Sequence, residues 1–274
     1  MTFKEIIDAF SAAGIPDPVA DGRVLWRELS GENPLFIPKA TDSSSSKALI
    51  KAVERRTKRE PLQYILGTVA FYKEEYEVSP DCLIPRQDTE ILVDLAVKLL
   101  PYGARFADLC TGSGCVAVST LKNTRGTSCL AVDVSCEALK LTQKNAVRNG
   151  VADRLMLSRI DLLTKGGELK SFAPFDAVLS NPPYVSLSAY SALEEEIYKE
   201  PKIAFLGGED GGDFYRALVP LGKELIKDNG FIAFEIGYDQ GELLKALADE
   251  ADMTSEIIKD YSGLDRVALL RKKS

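Results

Sequence analysis

The stretch Phe106-Ala107-Asp108-Leu109-Cys110-Thr111-Gly112-Ser113-Gly114-Cys115-Val116-Ala117 reads as an apolar strand, a glycine-rich turn and the start of a helix. Gly112, Gly114 and Ala117 satisfy G-x-G-x-x-(G/A), a spacing that lets the backbone turn sharply and approach a ligand at a helix N-terminus. A second apolar strand ends in Asp133, 19 residues beyond Gly114, where a carboxylate can take ribose hydroxyls. A nicotinamide or flavin site would carry similar letters, and so would a tight turn that only needs glycine. Asp108, just ahead of the turn, favours S-adenosylmethionine, with the loop against the amino-acid end of the cofactor.

Outward from this loop the chain alternates. Candidate strands are 105–110, 128–133, 155–160, 177–181, 231–236, 255–259 and 266–271, and helical segments at 115–122, 135–149, 212–227 and 241–250 fall between most of them. Such alternation predicts an α/β fold, a mostly parallel seven-stranded sheet with helices on both faces. The last two strands are joined only by 260–265, too short for a parallel crossover, so they should form an antiparallel hairpin. Upstream the pattern differs. Residues 1–67 read as a small all-α domain. Thr2 and Glu5 make a capping-box pattern, Asp17-Pro18 starts a second helix, and the polar stretch Asp42–Ser46 caps a third over 47–59. Residues 68–88 read as a β-hairpin linker, with short strands at Phe71-Tyr72, Tyr76–Val78 and Cys82–Ile84 and turns at 73–75 and 80–81. Residues 89–274 form the larger domain.

Ser180-Asn181-Pro182-Pro183-Tyr184 follows the apolar Ala177–Leu179, at the end of the fourth strand of the sheet. Ligands of open α/β sheets bind beyond the carboxyl ends of the strands, so this motif and the glycine loop should line one crevice. An amide nitrogen, or an exocyclic amino group of a base, is a poor nucleophile because its lone pair is delocalised. Attack on the methyl of a sulfonium needs two acceptors holding its two N–H bonds. The Asn181 side-chain oxygen and the Pro182 carbonyl suit that task, Pro182 and Pro183 stiffen the backbone, and Tyr184 can stack on the flat group. A plain Pro-Pro turn is the simpler account of these letters; the glycine loop and Asp133 upstream weigh against it.

Composition narrows the chemistry. The 274 residues contain no histidine, which removes Ser-His-Asp triads, Cys-His pairs and His-ligated metals. Five cysteines with no Cys-x-x-Cys suggest thiols in a reducing compartment rather than a disulfide framework or a zinc site. A net charge of -7 disfavours bulk nucleic-acid binding. Neither a leader nor an apolar span long enough for a bilayer is evident, so a cytoplasmic protein without a membrane partner is expected. A basic run at 47–59 reads either as a solvated helix face or as a docking surface for an acidic or phosphate-bearing partner.

Taken together the motifs resemble the HemK-type family of protein-glutamine N5-methyltransferases. Pro61–Gly67, Leu83–Glu90, Asp108–Gly114, Asn181–Tyr184, Glu200-Pro201 with Gly207-Gly208, and Asp260–Val267 fall in family order, nearly end to end. The resemblance implies a Rossmann-like class I methyltransferase domain behind a helical domain that helps to recognise the substrate. That substrate would be a class 1 peptide-chain release factor, methylated on the glutamine of its Gly-Gly-Gln loop. It also implies that Cys110, Thr111, Gly112, Ser113, Gly114 and Asp133 hold S-adenosylmethionine, released as S-adenosylhomocysteine, that Leu162 lies beside the adenine, and that Asn181–Tyr184 hold the glutamine amide, Asn181 also touching the cofactor. Three residues depart from the family pattern. Gln87 replaces a proline and should loosen the interdomain turn. Leu162 replaces a common aromatic. Cys110 replaces a glycine, so its backbone should avoid strongly positive φ. Two rivals share the amide chemistry: a glutamine methyltransferase acting on a ribosomal protein, and an adenine-N6 nucleic-acid methyltransferase, which would need a basic groove. A non-catalytic cofactor-binding module is a third.

Overall fold

The structure, a computed structural model, describes residues 1–30 and 47–273, and the chain divides into two compact units. The first comprises Met1–Thr68 together with Glu194–Lys199. Its helices are α1 (Phe3–Ala12), α2 (Pro18–Ser30), α3 (Lys47–Arg56) and α4 (Leu62–Leu66). The capping box closes α1 as expected: the Glu5 N–H donates to Thr2 Oγ1 at 3.2 Å, and the Thr2 N–H to the Glu5 carboxylate at 2.6 Å. Asp17 accepts from the Ala20 N–H at 2.9 Å at the start of α2. The expected cap at Asp42–Ser46 lies outside the described residues.

The third helix ends at Arg56 rather than at Arg59. The Lys58 and Arg59 N–H groups bond three residues back, tightening the last turn, and Arg59 then enters the left-handed region at φ 63°. Ile6, Phe10, Leu25, Leu49 and Val53 form the core of this unit.

The basic run at 47–59 is largely paired within this unit. Buried Arg56 lies 2.7 Å from Asp21 and 3.1 Å from Glu196, Arg59 is 2.7 Å from Glu196, and Arg55 is 2.5 Å from Glu60. Three of its six cations therefore hold the helical unit together, which leaves Lys47, Lys51 and Lys58 outside these pairs.

The second unit comprises Val69–Leu193 and Glu200–Ser274. In chain order it contains β1 (Thr68–Phe71, entering from the first unit), β2 (Glu74–Glu77), α5 (Glu90–Leu99), β3 (Arg105–Leu109), α6 (Cys115–Asn123), β4 (Ser128–Asp133), α7 (Cys136–Arg148), β5 (Leu155–Arg159), α8 (Leu162–Lys165), β6 (Phe175–Ser180), α9 (Leu187–Tyr190), α10 (Asp213–Leu225), β7 (Ile226–Glu235), α11 (Gly241–Glu250), β8 (Met253–Lys259) and β9 (Asp265–Lys272).

Seven strands form one sheet in the order β5-β4-β3-β6-β7-β9-β8. Strands β3 to β7 pair in parallel, whereas β9 runs antiparallel to both β7 and β8, as the short 260–265 connection demands. Alternate residues enter opposite cores: Phe106 and Ala131 pack with Leu92, Val116 and Leu121 on one face, Ala107 and Leu130 with Leu162, Leu218 and Leu244 on the other.

The hairpin differs in two details from the sequence reading. Its turn falls at Tyr72-Lys73, with Tyr72 at φ 58°, its N–H donating to Glu90 at 2.8 Å and its hydroxyl to Asp94 at 2.8 Å. Cys82–Ile84 is not a strand. The Ile84 N–H, which a ladder would use, donates instead to the buried Glu200 carboxylate at 2.9 Å.

Candidate active site

The site forms where β3 and β6 end side by side. Leu109 pairs with Ser180 in the parallel register, and the Ser180 hydroxyl donates to the Leu109 carbonyl at 2.6 Å. One residue further on, the two chains leave the sheet as the glycine loop and as Asn181–Tyr184. Between them and the segments 81–89, 133–138 and 160–163 lies a cleft of about 320 Å³.

The loop is fixed by its own polar groups. Cys110, Gly112 and Gly114 have φ of 58°, 57° and 80°. The expectation that Cys110 avoids positive φ is therefore wrong. It occupies the narrow left-handed well open to L-residues, a conformation costing about 1–2 kcal/mol, and its side chain is packed against the apolar cluster that includes Leu109 and Leu162. At Gly114 a side chain has no room: a Cβ would stand 2.7 Å from Thr142 Cγ2 and 3.2 Å from its backbone. The Gly112 N–H donates to Asp133 Oδ2 at 2.9 Å, the Thr142 hydroxyl donates to the Gly112 carbonyl at 2.9 Å, and Asn145 donates to the Ser113 carbonyl at 2.9 Å.

Two carboxylates of the cleft carry information. Asp133 accepts from the Gly112 and Ser135 N–H groups, one on each oxygen, and burial raises its pKa despite them. Asp108 is buried, and burial pushes its carboxyl up to about 7 against the hydrogen bonds from the Thr111 hydroxyl and the Ala117 N–H. Both bonds fall on Oδ2, and Oδ1 has no hydrogen-bond partner among the described residues.

Asn181 lines the cleft half-buried, and its Nδ2 donates to Thr89 Oγ1 at 3.1 Å. Among the described residues nothing donates to its side-chain oxygen or to the Pro182 carbonyl. Of the residues singled out in the sequence, Cys110, Thr111, Gly112, Ser113, Asp133, Leu162, Asn181 and Pro183 line the cleft. Gly114 sits behind it as the first residue before α6, and Pro182 is buried. Tyr184 packs against the apolar cluster of the β6–β7 face and points its hydroxyl to Glu235 Oε1 at 3.3 Å.

Several supporting residues carried no role in the sequence reading. Gly207 lies so close to the motif that a Cβ there would meet the Pro183 carbonyl at 2.6 Å and the Tyr184 Cα at 2.9 Å. Gln240 donates to the Tyr184 carbonyl at 3.1 Å. Glu200 ties the Ile84 backbone and the Arg86 guanidinium at the rim, and Thr89 and Glu235 stand behind Asn181 and Tyr184. The pair Gly207-Gly208 was visible as a motif, but nothing local disclosed what it packs against.

Residues 87–208 match the family model described as methyltransferase small domain, and residues 2–67 match the PrmC N-terminal domain. The chain is 38% identical over 217 residues to a release factor glutamine methyltransferase of Geobacter sulfurreducens, covering 78% of this chain and 74% of that one. It is 34% identical over 278 residues to a release factor glutamine methyltransferase of Moorella thermoacetica, covering 98% and 96%. Among solved structures, a ribosomal protein L11 methylase from Lactobacillus delbrueckii subsp. bulgaricus superposes with a TM-score of 0.51 at 19% identity, over 69% of this chain and 81% of that one, a likeness of fold. Among the described residues no helix is long and apolar enough to cross a membrane.

Proposed function

The chain belongs to the release factor glutamine methyltransferase family, a class I methyltransferase fold behind a helical N-terminal region, and from that membership we propose what each cleft residue does. The enzyme methylates the side-chain amide nitrogen, N5, of the glutamine in the Gly-Gly-Gln motif of class 1 peptide-chain release factors. The division into helical residues 1–67, hairpin linker 68–88 and methyltransferase domain 89–274 is part of this reading.

The residues present suit S-adenosylmethionine. Asp108 Oδ1 is a buried acceptor without a partner, which suits an ammonium group, and both Asp133 oxygens keep a lone pair for ribose hydroxyls after their backbone bonds. Cys110–Gly114 would hold the amino-acid end and Leu162 would face the adenine. Bound there, the cofactor supplies a methyl group on a positively charged sulfur, so that an N–C bond forms as the S–C bond breaks.

The observation that carries the reading is the direction of the Asn181 carboxamide. With its NH2 bound to Thr89, its oxygen is left to accept, beside a Pro182 carbonyl that is likewise unclaimed. Two acceptors held by a stiff Asn-Pro-Pro backbone fix both N–H bonds of a glutamine amide and aim its nitrogen, so orientation supplies most of the rate. The surplus proton passes to water once the nitrogen carries its methyl group.

Incubation with a purified class 1 release factor and isotope-labelled methyl donor, followed by mass spectrometry, should find one methyl group on the Gly-Gly-Gln glutamine. Asn181→Ala should cut the rate by about 10²–10³-fold while cofactor affinity changes little. Label in a ribosomal protein or nucleic acid, with the release factor unlabelled, would overturn the reading.

A further inference from the structure

We propose that Glu200 is a positioning residue for the cofactor: its carboxylate ties together two walls of the cleft, the segments 82–89 and 200–206, and so slows release of the bound ligand. The proposal rests on the reading of this cleft as the S-adenosylmethionine site. Both segments line it, the first through Leu83, Pro85 and Arg86, the second through Pro201, Ile203 and Leu206. Neither is held by the seven-stranded sheet. Residues 83–86 belong to no helix or strand, and the second segment has a single helical turn at Lys202–Ala204. Segments of this kind open locally at small cost unless something besides a ladder fastens them.

Each is fastened at one end to the Asn-Pro-Pro-Tyr motif. The Val185 N–H, just beyond Tyr184, donates to the Phe205 carbonyl at 2.8 Å, and the Gly207 N–H returns a bond to the Val185 carbonyl at 3.0 Å. On the other side the Thr89 hydroxyl accepts from Asn181 at 3.1 Å, and the Thr89 N–H donates to the Arg86 carbonyl at 3.1 Å. Glu200 joins the two walls away from the motif. Its Oε2 accepts from the Ile84 N–H at 2.9 Å, and its Oε1 accepts from the Arg86 guanidinium. The bonds then form a closed ring: from Asn181–Tyr184 to 205–207, back along the chain to Glu200, across to Ile84 and Arg86, and through Thr89 to Asn181.

The link is built for geometry. Ile84 and Glu200 each precede a proline, which favours extended backbone, so the carboxylate joins two stiff stretches. The Glu200 side chain is 2% exposed, and a buried ion pair is no more stabilising than apolar residues of the same shape. What it fixes is the register of one wall against the other. Ile84 is itself buried, so pinning its N–H sets the neighbours Leu83 and Pro85 toward the cleft. Glutamine has the shape of Glu200, but its nitrogen cannot accept, and it can serve only one of the two donors.

The test follows association and dissociation of S-adenosylhomocysteine by stopped flow in the wild type, Glu200→Gln, Arg86→Met and the double variant, with melting temperature and hydrogen exchange alongside. Glu200→Gln should speed dissociation about tenfold, the lower end of what a lost charge-assisted hydrogen bond is worth, with association unchanged. Exchange at 82–89 should quicken while exchange in β3 does not. Arg86→Met should release the ligand as fast, and the double variant no faster than either, because both changes remove one link. Arg86 lies at the partly exposed rim, so its variant decides the matter if Glu200→Gln does not fold. Unchanged dissociation in Glu200→Gln, effects that multiply in the double variant, or quickened exchange that extends to β3 overturns the proposal. Wild-type protein that does not bind S-adenosylhomocysteine overturns the reading of the cleft instead, a result visible before any variant is made.

Discussion

At the scale of single residues, we propose separate tasks for Asp108, Asp133 and Asn181. Asp108 titrates near neutrality, with Oδ1 unpartnered in a buried site. An arriving ammonium group favours the ionised carboxylate, so cofactor binding at pH 6–7 should expel a proton. Calorimetry in two buffers of unlike ionisation heat measures this directly, and a binding heat independent of buffer would refute the assignment. Asp133→Ala should weaken cofactor binding first, by roughly 10²-fold or more for a lost pair of charge-assisted hydrogen bonds, whereas Asn181→Ala should strike turnover first. Equal effects of both changes on affinity alone would contradict this division. The places of Asn181, Gly112 and Asp133 at the cleft were legible in the sequence because each belongs to a short motif at a strand end. Thr89 and Glu235 were not, because they act on Asn181 and Tyr184 from 92 and 51 residues away and no local pattern records such a contact. The backbone angle of Cys110 was misjudged for a different reason: avoidance of positive φ is a preference, which the packing around the loop overrides.

At the scale of elements, two glycines of one loop should behave differently. Gly114→Ala places a methyl against Thr142 on α7 at φ 80°, while at Gly112 the nearest atom to a new Cβ is Cys82 Cβ at 4.0 Å. Urea unfolding should therefore show the larger destabilisation for Gly114→Ala, about 1–3 kcal/mol from overpacking alone, with Gly112→Ala acting mainly through backbone strain. Helix α3 supplies a second case. Arg56→Ala removes a buried guanidinium and strips its counter-charge from half-buried Asp21 and Glu196, the latter keeping Arg59, so the loss should fall below the roughly 3–5 kcal/mol of a fully buried pair, at about 2–3 kcal/mol. Strands and helices were largely predictable, since alternation and helical spacing are written into the chain itself; the strand 128–133 and the helix 241–250 match their expected limits. The exception at Cys82–Ile84 is informative. Its apolar letters suit a strand, but a carboxylate 116 residues away takes the Ile84 N–H, and a distant acceptor overrules local propensity.

At the scale of the whole molecule, ionisation should tie stability to pH in an unusual sense. Burial raises the pKa values of Asp108, Asp133, Glu200 and Glu235, and the chain has no histidine to titrate in the same range. Between about pH 5 and 7 the folded state then binds more protons than the unfolded one, so stability falls as pH rises through the folded pKa values. Ligand-free protein should melt a few degrees higher at pH 6 than at pH 8, and saturating cofactor should shrink that difference by satisfying Asp108 in its charged form. Scanning calorimetry at the two pH values checks both statements; a higher melting temperature at pH 8 would contradict them. Glu194–Lys199 carries a different consequence. Those six residues belong to the helical unit although they lie beyond the Asn-Pro-Pro-Tyr loop in the chain, and Glu196 among them neutralises Arg56 and Arg59. A gene truncated after codon 67 would encode helices in which Arg59 has lost its carboxylate partners and Arg56 keeps only Asp21, so the excised piece should be a poor stand-in for the region it was cut from unless the 194–199 peptide is grafted back.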